Sequence, residues 1–327
     1  DITNKQVQIN TVDQGLSPIE IEKRVTFPVE TAMAGIPGLE GTRSVSRNGF
    51  SQVTVVFKEN VDLYFARQQV SERIAQAQDS LPEGVQPQIG PVTTGLGEVF
   101  MYTVDYANPG GKGATVRNGQ PGWQSDGNFL TPEGERLTDE VSRAAYLRTV
   151  QDWIIGPQLR TVQGVAGVDS IGGFEKQYLV EPDPVKLSAY GVSFSELAQA
   201  LEAANLSVGA NFLDRGGEAY LVRADARIRS INEIADAVIA TRGGVSVKVG
   251  DVAAVRLGGE LRTGAASMNG HEVVVGTTLM LIGENSRTVA KAVGEKLKAV
   301  EKSLPVGVKV TPKVGRSKLV NATIATV

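Results

Sequence analysis

The stretch Ile36-Pro37-Gly38-Leu39-Glu40-Gly41 decides the fold, because it returns as Val162-Gln163-Gly164-Val165-Ala166-Gly167. A second pair repeats it: Ser80-Leu81-Pro82-Glu83-Gly84-Val85 against Ser303-Leu304-Pro305-Val306-Gly307-Val308. Each stretch follows apolar residues at helical spacing and leads into an alternating run. The Gly and Pro between them mark a helix ending and a strand beginning. Two such pairs make an internal repeat.

Working outward from the first copy, Ser17-Pro18-Ile19-Glu20 is a capping box with Pro at the first helical position. Ile21, Val25, Val29, Ala32, Met33 and Ile36 follow at helical spacing, and Pro28 predicts a kink. Thr42 to Asn48 and Ser51 to Lys58 flank Asn48-Gly49, a hairpin signal. Asp62 caps a helix running to Ser80. Residues 1–95 therefore read β-α-β-β-α-β, a ferredoxin-like unit.

The second copy uses strands over residues 99–106, 166–172, 271–282 and 307–313, with helices over 138–160 and 286–303. Where the first copy has a tight turn, the second leaves at Phe174 and returns at Asn269-Gly270. Roughly 90 residues lie between, enough for a small inserted domain. That insertion is expected to hold a helix over 186–205 and a hairpin arm over 206–224 turning at Asp214-Arg215-Gly216-Gly217. A further helix follows Ser230, and a strand covers Val245 to Val249. The fold class is α+β: two ferredoxin-like βαββαβ subdomains with an α/β subdomain inserted in the second. Residues 107–134 hold seven Gly and three Pro and predict a loose surface loop.

Composition narrows the chemistry. The 327 residues are 41% hydrophobic and 21% charged, ordinary for a globular chain. Lys+Arg 33 against Asp+Glu 36 gives a net charge of −3, which argues against a nucleic-acid partner. There is no cysteine and one histidine, His271, so thiolate zinc sites and thiol catalysis are excluded. Nucleophile-elbow and HExxH patterns are absent, and an enzyme reading has no positive support. The longest apolar run, Val273 to Ile282, is too short to span a bilayer, and the polar start at Asp1 is no signal peptide. The chain reads as a soluble protein or a soluble piece of a larger one.

Carboxylates are the remaining chemistry. Most are solvated surface charges. Glu98 differs, standing between Gly95-Leu96-Gly97 and the apolar Val99-Phe100-Met101-Tyr102 at a strand mouth. In a 4-1-3-2 sheet the first strand starts beside the end of the third, which predicts Glu284 near Glu98. The start of the second strand, with Asp169, is expected at the same edge. Strands lie about 4.8 Å apart, so three carboxylates at that edge would suit a divalent cation without selecting one. Glu175, just past the exit to the insertion, is a weaker candidate. The four methionines are scattered and read as core, with no cluster for a soft monovalent metal.

These residues together resemble the resistance-nodulation-division transporters, in their heavy-metal branch of cobalt-zinc-cadmium exporters. The resemblance rests on Thr26 to Gly38 (TFPVETAMAGIPG), Gly95-Leu96-Gly97-Glu98, Leu147 to Trp153 (LRTVQDW), Ile171-Gly172-Gly173-Phe174 and Leu281 to Arg287 (LIGENSR). It implies a first porter subdomain over 1–95, a second over 96–173 and 261–316, and a docking subdomain over 174–260. Residues 317–327 would lead into a membrane helix absent here. It further implies the first large periplasmic loop of a bacterial inner-membrane, homotrimeric proton antiporter, completed by a periplasmic adaptor and an outer-membrane channel. The helix after Asp62 would line the trimer's pore, and the 206–224 arm would clasp the next protomer. Zn, Co or Cd would be cargo, with no cofactor. Copper and silver exporters of this branch carry an aromatic residue where this chain has Glu98, so the carboxylate favours divalent metals. A drug-exporting relative is the alternative, which 6% aromatic residues disfavour. A stand-alone periplasmic ligand-binding or regulatory protein of ferredoxin-like units is another.

Overall fold

The computed structural model describes residues 4–13, 15–93, 97–204, 207–215, 218–225, 231–259 and 264–315. The first unit runs β1 (Lys5–Val12), α1 (Pro18–Ile21), a π-turn (Glu22–Thr26), α2 (Phe27–Met33), β2 (Leu39–Arg47), β3 (Phe50–Phe57), α3 (Leu63–Ala77) and β4 (Gln88–Ile89). Its sheet has the order β2-β3-β1-β4, the 4-1-3-2 arrangement read from the other edge. The Ser17 capping box forms, with Ser17 and Glu20 each satisfying the other's backbone. The predicted kink takes the form of the π-turn: Phe27 N–H donates to Glu22 O, five residues back. Pro28 has no N–H and its ring crowds the carbonyl four residues before it, so a wider turn relieves the clash. Val7, Ile9, Val53, Val55 and Phe57 face Val29, Met33, Ala66 and Val70 in one apolar core.

The second unit opens with β5 (Glu98–Tyr106), followed by three short strands, β6 (Gly122–Trp123), β7 (Phe129–Leu130) and β8 (Arg136–Leu137). Then come α4 (Glu140–Val150), a π-turn (Gln151–Ile155), α5 (Gly156–Arg160) and β9 (Val165–Ile171). The π-turn again precedes a proline, Pro157, with Gly156 N–H donating to Gln151 O. The chain leaves through β10 (Lys176–Pro182), α6 (Pro184–Tyr190), α7 (Phe194–Ala204), β11 (Ser207–Arg215), β12 (Glu218–Asp225), α8 (Ile231–Asp236), β13 (Val238–Arg242), β14 (Val245–Lys248), α9 (Val249–Val252) and β15 (Ala253–Gly259). It returns by the hairpin β16 (Ser267–Met268) and β17 (His271–Glu272) into β18 (Val274–Met280), α10 (Ser286–Glu301) and β19 (Val308–Gly315). The sheet order β19-β5-β18-β9 is 4-1-3-2 once more. Tyr102, Val104 and Val274 pack against Leu147, Val293 and Leu297, while Leu187, Leu197, Ile234, Val249 and Val252 form a separate core in the insertion. Paired β10 and β15 form the ribbon that carries the chain out and back.

Two expectations need correction. The helix over 186–205 is two helices, because Gly191 adopts φ 64° and ends α6 before Ser193 starts α7. Residues 107–134 are not a loose loop. Trp123 and Phe129 are buried against Tyr106, with ring centroids 5.5 and 4.8 Å away, and this aromatic cluster anchors the β6-β7-β8 sheet on the core. Glycine and proline content concealed two anchoring rings. The 206–224 arm is an antiparallel pair, β11 with β12, and its turn at 216–217 lies outside the described residues.

Candidate functional site

Glu98 stands exposed at the first position of β5, opposite Leu279. The strand mouth is fixed around it: Met280 N–H donates to Gly97 O at 2.7 Å and Leu281 N–H to Gly164 O at 2.8 Å. Gly95 and Leu96, the start of the motif before it, lie outside the described residues. Glu284 is exposed at the same sheet end, in the turn between β18 and α10. Gly164, at φ 84°, lies against its side chain; a Cβ there would meet the Glu284 carboxyl carbon at 3.4 Å. Glu98 and Glu284 thus share one edge, as the topology predicts.

Asp169 does not join them. The second strand begins at Val165, four residues earlier than an edge position for Asp169 requires, so Asp169 sits opposite Thr277 in mid-sheet. Among the described residues no three His, Asp or Glu side chains converge to hold a metal ion. The expected three-carboxylate cluster of Glu98, Asp169 and Glu284 is therefore absent from these residues. Glu175 is exposed between β9 and β10, beyond the opposite end of β9 from Glu98. Asp169 is solvent-exposed, and partial desolvation raises its carboxyl above the ordinary range, an effect Arg160 opposes.

The face of this sheet turned away from the helices carries further polar groups. Asp105 is only 1% exposed, and Thr103 and Thr277 are 4% exposed. Asp105 Oδ1 accepts from Tyr106 N–H at 2.7 Å, and Oδ2 lies 2.9 Å from His271 Nε2. The single histidine thus gives a buried carboxylate a hydrogen-bond partner where the chain re-enters the sheet. Sequence reading missed this pair, although an acid inside the apolar run of β5 was its signal, since buried charge needs a partner. On the helix face, Tyr102 donates to Gln151 Oε1 at 3.0 Å, tying β5 to the second π-turn.

The nickel-cobalt-cadmium resistance protein NccA of Alcaligenes xylosoxydans xylosoxydans is 68% identical over all 327 residues, which cover 30% of that protein. The nickel and cobalt resistance protein CnrA of Cupriavidus metallidurans is 67% identical over the same span, again 30% of its length. The crystal structure of a heavy metal efflux pump superposes with TM-score 0.80 at 32% identity, covering 100% of this chain and 29% of that one. The chain thus spans less than a third of the proteins it matches. Among the described residues no helix is long and apolar enough to cross a membrane. The model of the AcrB/AcrD/AcrF family matches residues 1–327. The chain belongs to that family, the resistance-nodulation-division transporters, within its heavy-metal branch.

Proposed function

We propose that this chain is the periplasmic porter and docking portion of a proton-driven, inner-membrane pump that exports divalent transition-metal cations. The observation that carries the reading is the identity of 67–68% along the whole chain to proteins named for nickel, cobalt and cadmium resistance. Nickel and cobalt therefore join zinc and cadmium as cargo, and lead them. In this reading residues 1–95 are the first porter subdomain, 96–173 with 261–316 the second, and 174–260 the docking subdomain. Residues 317–327 lead toward a membrane helix. The working pump is a homotrimer completed by a periplasmic adaptor and an outer-membrane channel protein.

Within that pump Glu98 is proposed as a transient cation ligand. Its exposed carboxylate on a fixed strand mouth supports this, with Glu284 on the same edge. Asp169 on the open face and Glu175 beyond the far end of β9 serve as separate points along the path rather than as one cage. Oxygen donors hold borderline divalent cations loosely, which suits cargo that must leave. The test is Glu98→Gln in the full transporter, which keeps shape and removes charge. Cells are expected to lose nickel and cobalt resistance while expression and trimer assembly stay unchanged. Export of both metals at the wild-type rate would show Glu98 to be a surface carboxylate only.

A further inference from the structure

We propose that Asn269 is a site of spontaneous deamidation, and that its isoaspartyl product loosens the second unit by drawing His271 away from Asp105. The chain holds three Asn-Gly pairs, Asn48-Gly49, Asn118-Gly119 and Asn269-Gly270. A glycine after asparagine leaves its main-chain nitrogen unshielded by any side chain, so all three pairs carry the reactive sequence. The fold separates them.

Reaction requires the Gly nitrogen and the Asn side-chain carbonyl to be free to meet. At the first pair Gly49 is buried, and its N–H donates to Leu16 O at 3.0 Å. At the second, Asn118 Oδ1 accepts from Ser125 N–H and Nδ2 donates to Ser125 Oγ, both at 2.9 Å, while Gly119 N–H donates to Gln124 Oε1 at 2.8 Å. Both reacting groups are committed there. At the third, Asn269 and Gly270 are exposed, and among the described residues no hydrogen bond holds the Asn269 side chain or Gly270 N–H. Asn269 sits at φ 53°, and among the described residues it alone of the non-glycines takes a positive φ. The turn must open from this conformation to bring the Gly270 nitrogen against Asn269 Cγ. The hairpin is small enough to allow that: β16 and β17 share the register pairs Ser267↔Glu272 and Met268↔His271, extended by a bond from Val273 N–H to Ala266 O at 2.9 Å. So short a ladder opens at little cost.

The step balances with water alone and involves no change of oxidation state. The deprotonated Gly270 nitrogen attacks Asn269 Cγ, the Cγ–Nδ2 bond breaks, and ammonia leaves with the proton as a cyclic succinimide closes. Water then opens the ring. Breaking the new bond to Cγ gives an ordinary aspartate. Breaking the bond to the main-chain carbonyl carbon gives isoaspartate, in which the chain runs through the former side chain. That product adds a methylene to a two-residue turn whose residues both hold positive φ, so the turn no longer closes. His271 follows directly, and its Nε2 lies 2.9 Å from Asp105 Oδ2. Displacing it leaves a buried carboxylate with Tyr106 N–H as its remaining donor. The inference does not depend on metal transport, since none of these residues is a proposed metal contact.

The test incubates the 327-residue chain in mildly alkaline buffer and follows each Asn-Gly pair by mass spectrometry of tryptic peptides, with isoaspartate counted by enzymatic methylation. Asn269 is expected to convert at least about tenfold faster than Asn48 or Asn118, whose reacting groups are released only by larger openings of the fold. In urea the three rates should converge, because only the fold distinguishes the pairs. The aged chain, separated by its added charge and rich in isoaspartate, should unfold at lower urea than Asn269→Asp, which carries the same charge on an unaltered main chain. Asn269→Gly suits the turn and has no amide to lose there, so its unfolding midpoint should hold through the same incubation. Conversion at Asn269 no faster than at the other two pairs would overturn the site. An isoaspartyl chain as stable as Asn269→Asp would overturn the link to His271.

Discussion

The two ferredoxin-like units share strand order, capping and even a π-turn ahead of a proline, yet their open sheet faces differ. In the first unit that face carries amides and a cation and is partly wet: Asn10 and Gln52 sit opposite each other and share a 3.0 Å hydrogen bond, and Arg43 reaches Gln6. In the second unit it carries Asp105, Thr103, Thr277 and Asp169, the first three nearly inaccessible to water. The second unit alone bears both insertions, the β6-β7-β8 sheet and the β10-to-β15 domain. The repeated topology therefore supplies a scaffold. The buried polar groups on its face and the two insertions are what set the second copy apart.

The largest effect that would separate the units is removal of an insertion anchor. Phe129 is fully buried, 4.8 Å from the Tyr106 ring and 5.4 Å from Trp123. Phe129→Ala should cost about 3–5 kcal/mol, the usual range for an emptied aromatic site. The loss should be confined to the second unit, so hydrogen exchange should accelerate on β5 and α10 and stay unchanged on β1 and β3. Equal acceleration in both units would mean that they unfold as one body, and the contrast between them would lose its energetic meaning.

A smaller effect tests the open faces directly. His271→Ala leaves Asp105 buried with only a backbone donor. It should cost about 2 kcal/mol, below the figure for fully buried pairs because the imidazole is partly exposed. Asn10→Ala, its counterpart in the first unit, should cost under about 1 kcal/mol. Adding Asp105→Asn to His271→Ala should recover part of the loss. Similar costs at His271 and Asn10 in urea unfolding would erase the distinction between the faces.

What was legible in the sequence followed from local rules. The capping box at Ser17, the Asn48-Gly49 turn and the paired Gly-ended repeats each act within a few residues, and each formed. The 4-1-3-2 order followed from recognising the repeat. Illegible features depended on long-range partners or exact register. Asp169 was expected at the sheet edge although a strand over 166–172 already sets it inside; β9 begins at Val165, so Asp169 lies two pleats in from that edge. Asp105 and His271 are 166 positions apart: an acid in an apolar run signals that a partner is needed, but nothing local says which residue supplies it. The 107–134 segment was misread because two rings, Trp123 and Phe129, outweigh its glycines once a core is available.

The smallest expected effect concerns Asp169, and its sign is informative. Burial raises its folded-state pKa, so the ionised form is disfavoured in the folded chain relative to the unfolded one. Stability linked to this group is therefore greatest where it is protonated. It falls as pH rises from the ordinary carboxylate value through the raised one. Asp169→Asn removes the charge and keeps the shape. It should stabilise the chain at neutral pH by less than about 1 kcal/mol, since solvent screens the exposed Asp169 and Arg160 offsets part of the cost. In acid, where the wild-type carboxyl is protonated, the two proteins should melt together. Thermal melts well below the ordinary carboxylate pKa and at pH 7.5 measure the difference. A stabilising Asn at neutral pH would mean that the second unit carries a charge on its open face against its own stability, as a cation path requires. A destabilising Asn would make Asp169 a structural partner of Arg160 and take it off the path.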